Sequence, residues 1–164
     1  MRSVYYYNFP LCPLGIAEED GAICRIFFYK IKTPDSFSKA GFVETETPLI
    51  KKAASQLQEY FDGIRKKFNL PLALKGTDFQ VKVWKALQDI PYGKTGSYGE
   101  LAAITGNAKA CRAVGMANNR NPIVIIVPCH RIIGSDGSLT GYAGGLDLKQ
   151  KLLELEGVLP MLGC

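Results

Sequence analysis

The chain has 164 residues, of which 47% are hydrophobic and 21% charged, and a net charge of +5. That length suits one large domain or two small ones, and the composition is that of a globular protein with no stretch apolar enough to span a bilayer. Five cysteines of irregular spacing and a single histidine exclude a disulfide framework and the usual zinc sets. The modest excess of lysine and arginine permits a polyanionic partner without requiring one. The opening run Met1-Arg2-Ser3-Val4-Tyr5-Tyr6-Tyr7 lacks the apolar core and cleavage site of a signal peptide, so a cytoplasmic protein with free thiols is expected.

In chain order, Val4 to Tyr7 and Leu14 to Ala17 read as β-rich runs. Glu18-Glu19-Asp20-Gly21 is a turn, with Asp-Gly as the tight-hairpin signal. Ala22, Cys24, Ile26 and Phe28 share one side of the return strand. Thr33 to Glu46 is polar and is expected to be a loop. Thr47-Pro48 opens a helix, with Thr as N-cap and Pro at the first helical position. Its apolar stripe is Ile50, Ala53, Ala54, Leu57, Tyr60 and Phe61, and Gly63 is its terminator. Asn69 to Gly76 reads as an extended connector. A domain boundary is placed there, with residues 1–75 forming a sheet-and-helix domain and residues 76–164 a second one.

The second half is mainly helical. Thr77-Asp78-Phe79-Gln80 is a capping box, and Phe79, Val83, Trp84, Leu87 and Ile90 lie on one face of the helix it opens. Ser97-Tyr98-Gly99-Glu100 is a second box before a short helix with Leu101, Ala102 and Ile104. Thr105-Gly106-Asn107 is a tight turn, and a third helix over residues 108–118 carries Lys109, Arg112, Val114 and Met116. This is a helix-turn-helix pattern, although an αα-hairpin packed into an enzyme reads the same way. The fold class expected is α+β in two domains: an N-terminal one with an antiparallel sheet, and a mainly helical C-terminal one with the helix-turn-helix.

One stretch organises the chemistry. Ile123-Val124-Ile125-Ile126-Val127 is a β-branched run expected to form a buried strand, ended by Pro128, with Cys129 and His130 directly after it. A thiol beside an imidazole is the minimum for a cysteine nucleophile. Taken alone, the stretch reads more readily as a core strand with a structural cysteine. Gly134 to Ser138 is a polar turn, and Thr140 to Gly145 is glycine-rich without the Gly-Lys-Ser/Thr ending of a phosphate loop. A last helix runs from Asp147 to Glu156 before Gly157, with Leu148, Leu152 and Leu155 on its inner side. Glu154 shares the polar face of Gln150 and Lys151. Glu156, three and four residues beyond Leu153 and Leu152, is set toward the packed side. An inward carboxylate needs a partner, and the one imidazole is available. Spacing alone leaves equally open a helix-end Glu156 turned to solvent.

These residues carry a resemblance. Pro128-Cys129-His130-Arg131, preceded by Asn121-Pro122 and an aliphatic run, resembles the active-site signature of the O-6-alkylguanine-DNA alkyltransferases, or methylated-DNA–protein-cysteine methyltransferases. Gly76-Thr77-Asp78-Phe79-Gln80 through Val83-Trp84, Ser97-Tyr98, Arg112-Ala113-Val114-Gly115 and Tyr142-Ala143-Gly144-Gly145-Leu146 resemble further landmarks in family order. The likeness is close over residues 76–157 and loose before them.

The resemblance implies DNA repair by direct, irreversible, single-turnover transfer of an alkyl group, typically methyl, to the protein's own cysteine. The donor is O-6 of guanine, with O-4 of thymine as a further candidate. Cys129 is then the acceptor, His130 takes its proton through a water, Glu156 orients His130, Tyr142 assists guanine departure and Asn121 braces the turn. Arg112 fills the stack left by the extruded base, Tyr98 helps to rotate the nucleotide, and Ser135 contacts a phosphate. Trp84, Ile132, Ala143 and Gly144 are implied as pocket lining. The implied partner is double-stranded DNA containing O-6-alkylguanine, bound by a monomer with no cofactor, no metal and no membrane contact. A base-binding protein without transfer activity and a Cys-His hydrolase are the competing readings.

Overall fold

The computed structural model describes residues 1–29 and 34–158, apart from the side chains of Pro34 and Asp35. The chain folds as two compact units, Met1–Leu74 and Lys75–Cys164. Thr33 and Cys164 lie outside the described residues.

The first unit is a four-stranded sheet of order β3-β2-β1-β4 with a helix packed on it. Strands β1 (Arg2–Asn8), β2 (Pro13–Glu19) and β3 (Ala22–Phe28) form an antiparallel meander. The β2–β3 turn works because Asp20 and Gly21 both take positive φ, 51° and 83°, as a tight hairpin demands. The polar segment after β3 is not wholly a loop. It holds α1 (Pro34–Lys39) and β4 (Val43–Glu44), which pairs in parallel with Ser3 and Val4. Two aromatics anchor it: Phe37 stacks on Phe27 at 4.7 Å and meets Phe42 edge-on at 5.3 Å. A polar run needs only such occasional anchors to become ordered, so its average polarity hides the structure.

Helix α2 (Pro48–Phe61) starts where expected, with Thr47 Oγ1 accepting from Ile50 N. Its face of Ile50, Ala53, Ala54, Leu57 and Tyr60 is buried, while Phe61 is only half-buried. Residues near 72 add to the free edge of β3, since Ile23 N donates to Pro71 O and Ala73 N to Ile23 O.

The second unit begins with α3 (Asp78–Leu87), capped by a complete Thr77–Gln80 box. A short strand β5 (Gly96–Ser97) leads into α4 (Tyr98–Ile104), whose N-cap Ser97 accepts from Glu100 N. Helix α5 (Cys111–Asn119) starts later than residue 108, because residues 107–110 are spent in a turn closed by Ala110 N to Asn107 O. It packs against both α3 and α4. Helix α6 (Leu146–Leu155) ends on Glu156 as its C-cap, with Gly157 in the left-handed region. Among the described residues, no helix is long and apolar enough to cross a membrane.

The expected strand over residues 123–127 is absent. Val127 N bonds back to Ile123 O and Ile126 N to Val124 O, so the chain coils on itself. Ile125 sits at φ +72°, a rare and strained position for a β-branched residue, costing about 1–3 kcal/mol. Ile123, Val124, Ile125 and Val127 are buried. The hydrophobic run therefore marked burial but not backbone form, since a short apolar run satisfies either. A single 3-10 turn, Cys129–Arg131, follows, and only Ile132–Ile133 extends as β6, parallel to β5.

Candidate active site

The coil before Pro128 delivers Cys129, His130 and Arg131 in succession, all inside the unit, with His130 at 0% exposure. Asn121 holds that coil: its Nδ2 donates to Val127 O at 2.6 Å and its Oδ1 accepts from Ile123 N at 2.9 Å. Asn118, buried at the end of α5, donates through Nδ2 to Cys129 O at 3.4 Å.

Glu156 points inward, and its carboxylate is the hub of the site. It lies 2.7 Å from His130 Nε2 and accepts from Arg131 Nε at 2.8 Å, Arg131 Nη2 at 3.2 Å and Gly93 N at 3.3 Å. Arg131 is itself held by Ile90 O at 2.6 Å and lies over the Tyr92 ring. A buried carboxylate is tolerable when a guanidinium neutralises it in a forked contact. Burial lowers the His130 pKa despite Glu156, which raises it. The imidazole is therefore neutral at rest, and the nitrogen facing the carboxylate, Nε2, must carry its proton. Nδ1 is then a bare acceptor. It is buried and has no protein hydrogen-bond partner among the described residues.

Burial also pushes the Cys129 thiol up to about 11, against a hydrogen bond from Asn121 and the charge of Lys149, which lower it. At neutral pH it is a thiol, and nucleophilic attack requires a base. The arrangement thus combines a protonated nucleophile, a neutral imidazole with one free acceptor nitrogen, and a carboxylate fixing the other. It can do covalent chemistry at sulfur.

The chain matches two family models: 6-O-methylguanine DNA methyltransferase, ribonuclease-like domain, over residues 4–74, and 6-O-methylguanine DNA methyltransferase, DNA binding domain, over residues 78–158. It is 51% identical over 160 residues to a methylated-DNA–protein-cysteine methyltransferase of Methanosarcina acetivorans, covering 94% of this chain and 99% of that one. The chain belongs to the methylated-DNA–protein-cysteine methyltransferase family. A constitutive member from Bacillus subtilis is 49% identical over 158 residues, covering 93% of this chain and 96% of that one. In three dimensions, Mycobacterium tuberculosis OGT, solved in complex with DNA, superposes with a TM-score of 0.85 at 42% identity over 97% of this chain and 96% of that one.

The other residues expected at a methyltransferase site fall into distinct settings. Tyr142 is half-buried with a buried hydroxyl oxygen, Gly144 is half-buried and Ala143 exposed, all in the segment before α6. Ile132 is wholly buried one residue after the 3-10 turn. Tyr98 donates to Thr140 O at 3.2 Å, tying the start of α4 to the glycine-rich segment. Arg112, in the first turn of α5, and Ser135 are exposed. Trp84 was expected in the pocket, but the structure makes it a core staple: it is 2% exposed, and its Nε1 donates to Ala117 O at 2.8 Å, pinning α3 to α5. An indole N–H in a core needs such an acceptor, and here the backbone supplies it.

Three participants escaped the sequence reading. Arg131 was visible only as part of the signature, and the Gly93 N–H carries no side-chain signal. Lys149 could have been found. The inner face of α6 is Lys149, Leu152, Leu153 and Glu156, spaced i, i+3, i+4, i+7, and the two charged residues interrupt an otherwise regular apolar stripe.

Proposed function

We propose that this protein repairs DNA by transferring an alkyl group, typically methyl, from O-6 of guanine to Cys129, once and irreversibly. What carries the reading is the clamp of His130 Nε2 against Glu156 at 2.7 Å beside a buried Cys129 thiol. That clamp leaves Nδ1 as the site's bare acceptor, in a chain of a family whose members are named for a cysteine acceptor.

In this reading the thiol proton passes through a water to His130 Nδ1. The sulfur electron pair attacks the alkyl carbon, forming a carbon–sulfur bond as the carbon–oxygen bond breaks. Its electron pair leaves with guanine, which regains a proton, so that the thiol proton is balanced by the one on the restored base. Tyr142 donates toward the departing ring, and the carbonyls of Cys129 and Ile132 read the guanine edge. Ala143 and Gly144 border the alkyl group, and Asn121 keeps the turn rigid.

The second unit is the part that engages duplex DNA. Arg112, exposed on the second helix of the helix-turn-helix, enters the stack where the base was extruded, with Tyr98 easing its rotation and Ser135 meeting a phosphate. A buried thiol can reach O-6 only if the base is flipped out, at a cost of a few kcal/mol. Binding through phosphates should weaken with salt and vary little with sequence. A cytoplasmic location fits the free thiols of Cys12, Cys24, Cys111 and Cys129.

Intact-mass analysis after mixing with O-6-methylguanine duplex tests the reading. The expected result is the gain of one methyl group, absent in Cys129→Ala. Tight binding with no mass gain would show a base-binding protein instead. Repeated turnover of an ester or amide would show a hydrolase.

A further inference from the structure

A buried carboxylate 2.7 Å from an imidazole tends to draw a proton onto it, because a lone negative charge in a dry site is costly. A charged His130 could not serve as a base. Both ring nitrogens would carry protons, and Nδ1 could take nothing from the thiol. The carboxylate that orients the ring therefore also threatens to disable it, unless its charge is cancelled by another group.

The Arg131 guanidinium is placed to do that. Its Nε donates to Glu156 Oε1 at 2.8 Å and its Nη2 to Oε2 at 3.2 Å, and Oε2 is the oxygen that faces His130 Nε2. Its Nη1 is anchored on Ile90 O at 2.6 Å, and the group lies over the Tyr92 ring. The two side chains are 8% and 0% exposed, so little water screens them. Arg131 and Glu156 together carry no net charge. A proton added to His130 would leave an uncompensated positive charge beside them.

The remaining neighbours leave this task to Arg131. Cys129 is a thiol at neutral pH, and burial raises the Tyr92 hydroxyl pKa further. Asn118, reaching in from α5, is uncharged. The ionisable residues of α3, which also packs on the turn, are Asp78, Lys82 and Lys85, and all are exposed. On α6, Asp147 and Lys151 are exposed and paired with each other, while Lys149 donates to the carbonyls of Thr140 and Gly141. Burial is the main cause of the lowered His130 pKa. Glu156 opposes it, and Arg131 and then Lys149 push the pKa lower.

We propose that Arg131 is a positioning residue of the transfer site: its fork cancels the Glu156 charge, so that the carboxylate orients His130 without protonating it. This rests on the reading of His130 as the base for Cys129. Arg131 exchanges no atom in the reaction. The thiol proton can pass to Nδ1 because that nitrogen is bare at rest. The imidazolium so formed is unfavourable beside the guanidinium and gives the proton up again after the carbon–sulfur bond has formed.

The chain has one histidine, so its imidazole nitrogens give a single set of NMR signals that can be followed from about pH 5 to 9, either side of the ordinary imidazole midpoint. In the wild type the ring should be neutral at pH 7, about the working pH, with its proton on Nε2. Arg131→Gln keeps a donor for the carboxylate but no charge. Its imidazole midpoint should rise above neutrality, and methyl transfer at neutral pH should fall about tenfold, since a midpoint one unit above the working pH leaves about a tenth of the ring neutral. Transfer by this variant should recover as pH is raised, which a merely loosened site would not do. Arg131→Lys restores the charge and should return the neutral ring and most of the rate. Removing both charges, in Arg131→Gln with Glu156→Gln, should bring the midpoint back down. A wild-type midpoint in Arg131→Gln would overturn the proposal. Should that variant not fold, the wild type and Arg131→Lys decide it: a neutral ring at neutral pH in both supports the proposal, and an imidazolium in either overturns it. If the wild type takes no methyl group from damaged duplex yet its imidazole follows Arg131 as expected, the alkyl-transfer reading fails and the control of the proton stands.

Discussion

The two units bury different things. Among the described residues of the first, the buried set is aliphatic and aromatic apart from the thiols Cys12 and Cys24 and the polar Ser3, Thr47 and Gln56. Thr47 caps α2, and Gln56 pairs its amide with the backbone of Asn69. In the second, the buried set includes His130, Arg131, Lys149 and Glu156. A buried ionisable group costs stability unless it is matched, so a unit that keeps four of them on one side of one helix and one turn is organised for chemistry. The first unit is organised for packing, and nothing in its buried set asks for a substrate.

That contrast can be broken by experiment. After the complete loss expected for Cys129→Ala, the largest effect should come from Glu156→Gln. With the carboxylate gone, His130 loses its fixed orientation and the methyl-transfer rate should drop about a hundredfold, the low end of what a positioned base contributes. Circular dichroism should show the fold retained; an unchanged rate would remove Glu156 from the machinery. Leu57→Ala in the first unit should do the reverse. Emptying that buried site should cost about 2–5 kcal/mol in denaturant unfolding, while the single-turnover rate of the folded protein stays at the wild-type value. A rate that falls with it would show that the units are not separable in function.

Arg112→Ala is the next smaller expectation. It should slow repair of damaged duplex about tenfold, consistent with the loss of one stacking contact, and leave reaction with free O-6-methylguanine unchanged. Equal loss on both substrates would place Arg112 outside the extrusion step.

The smallest effect concerns acid. The folded His130 pKa lies below its ordinary 6.5, with burial as the main cause. The unfolded chain therefore binds the proton more readily, and stability is undiminished above that pH and declines as pH falls below it. Thermal midpoints should drop below pH 6.5, and less so in His130→Asn. Methyl transfer should hold its neutral-pH rate somewhat below the ordinary imidazole midpoint. An acid limb centred above 6.5 would show that the imidazole is not desolvated in solution.

The elements set by local chemistry were legible in the residues themselves. The Asp20-Gly21 hairpin, the Thr47-Pro48 start and the Thr77–Gln80 box depend on side chains that act on their own neighbouring backbone, so their signal is contained in a few positions. The spacing of Glu156 fitted an inward and a solvent-facing setting equally and the fold decided it, whereas Cys129 and His130 were visible as a thiol next to the only imidazole. The path of residues 123–128 was not. Its β-branched run is compatible with a strand, and only the surrounding core forces Ile125 to φ +72° and turns the chain toward the 3-10 turn. Nor could any local rule assign Trp84 to Ala117, Gly93 N to Glu156, or Lys149 to the carbonyls of Thr140 and Gly141. Those pairings join positions far apart in the chain or reverse a residue's usual preference for water, and burial decides them only once the whole unit has closed.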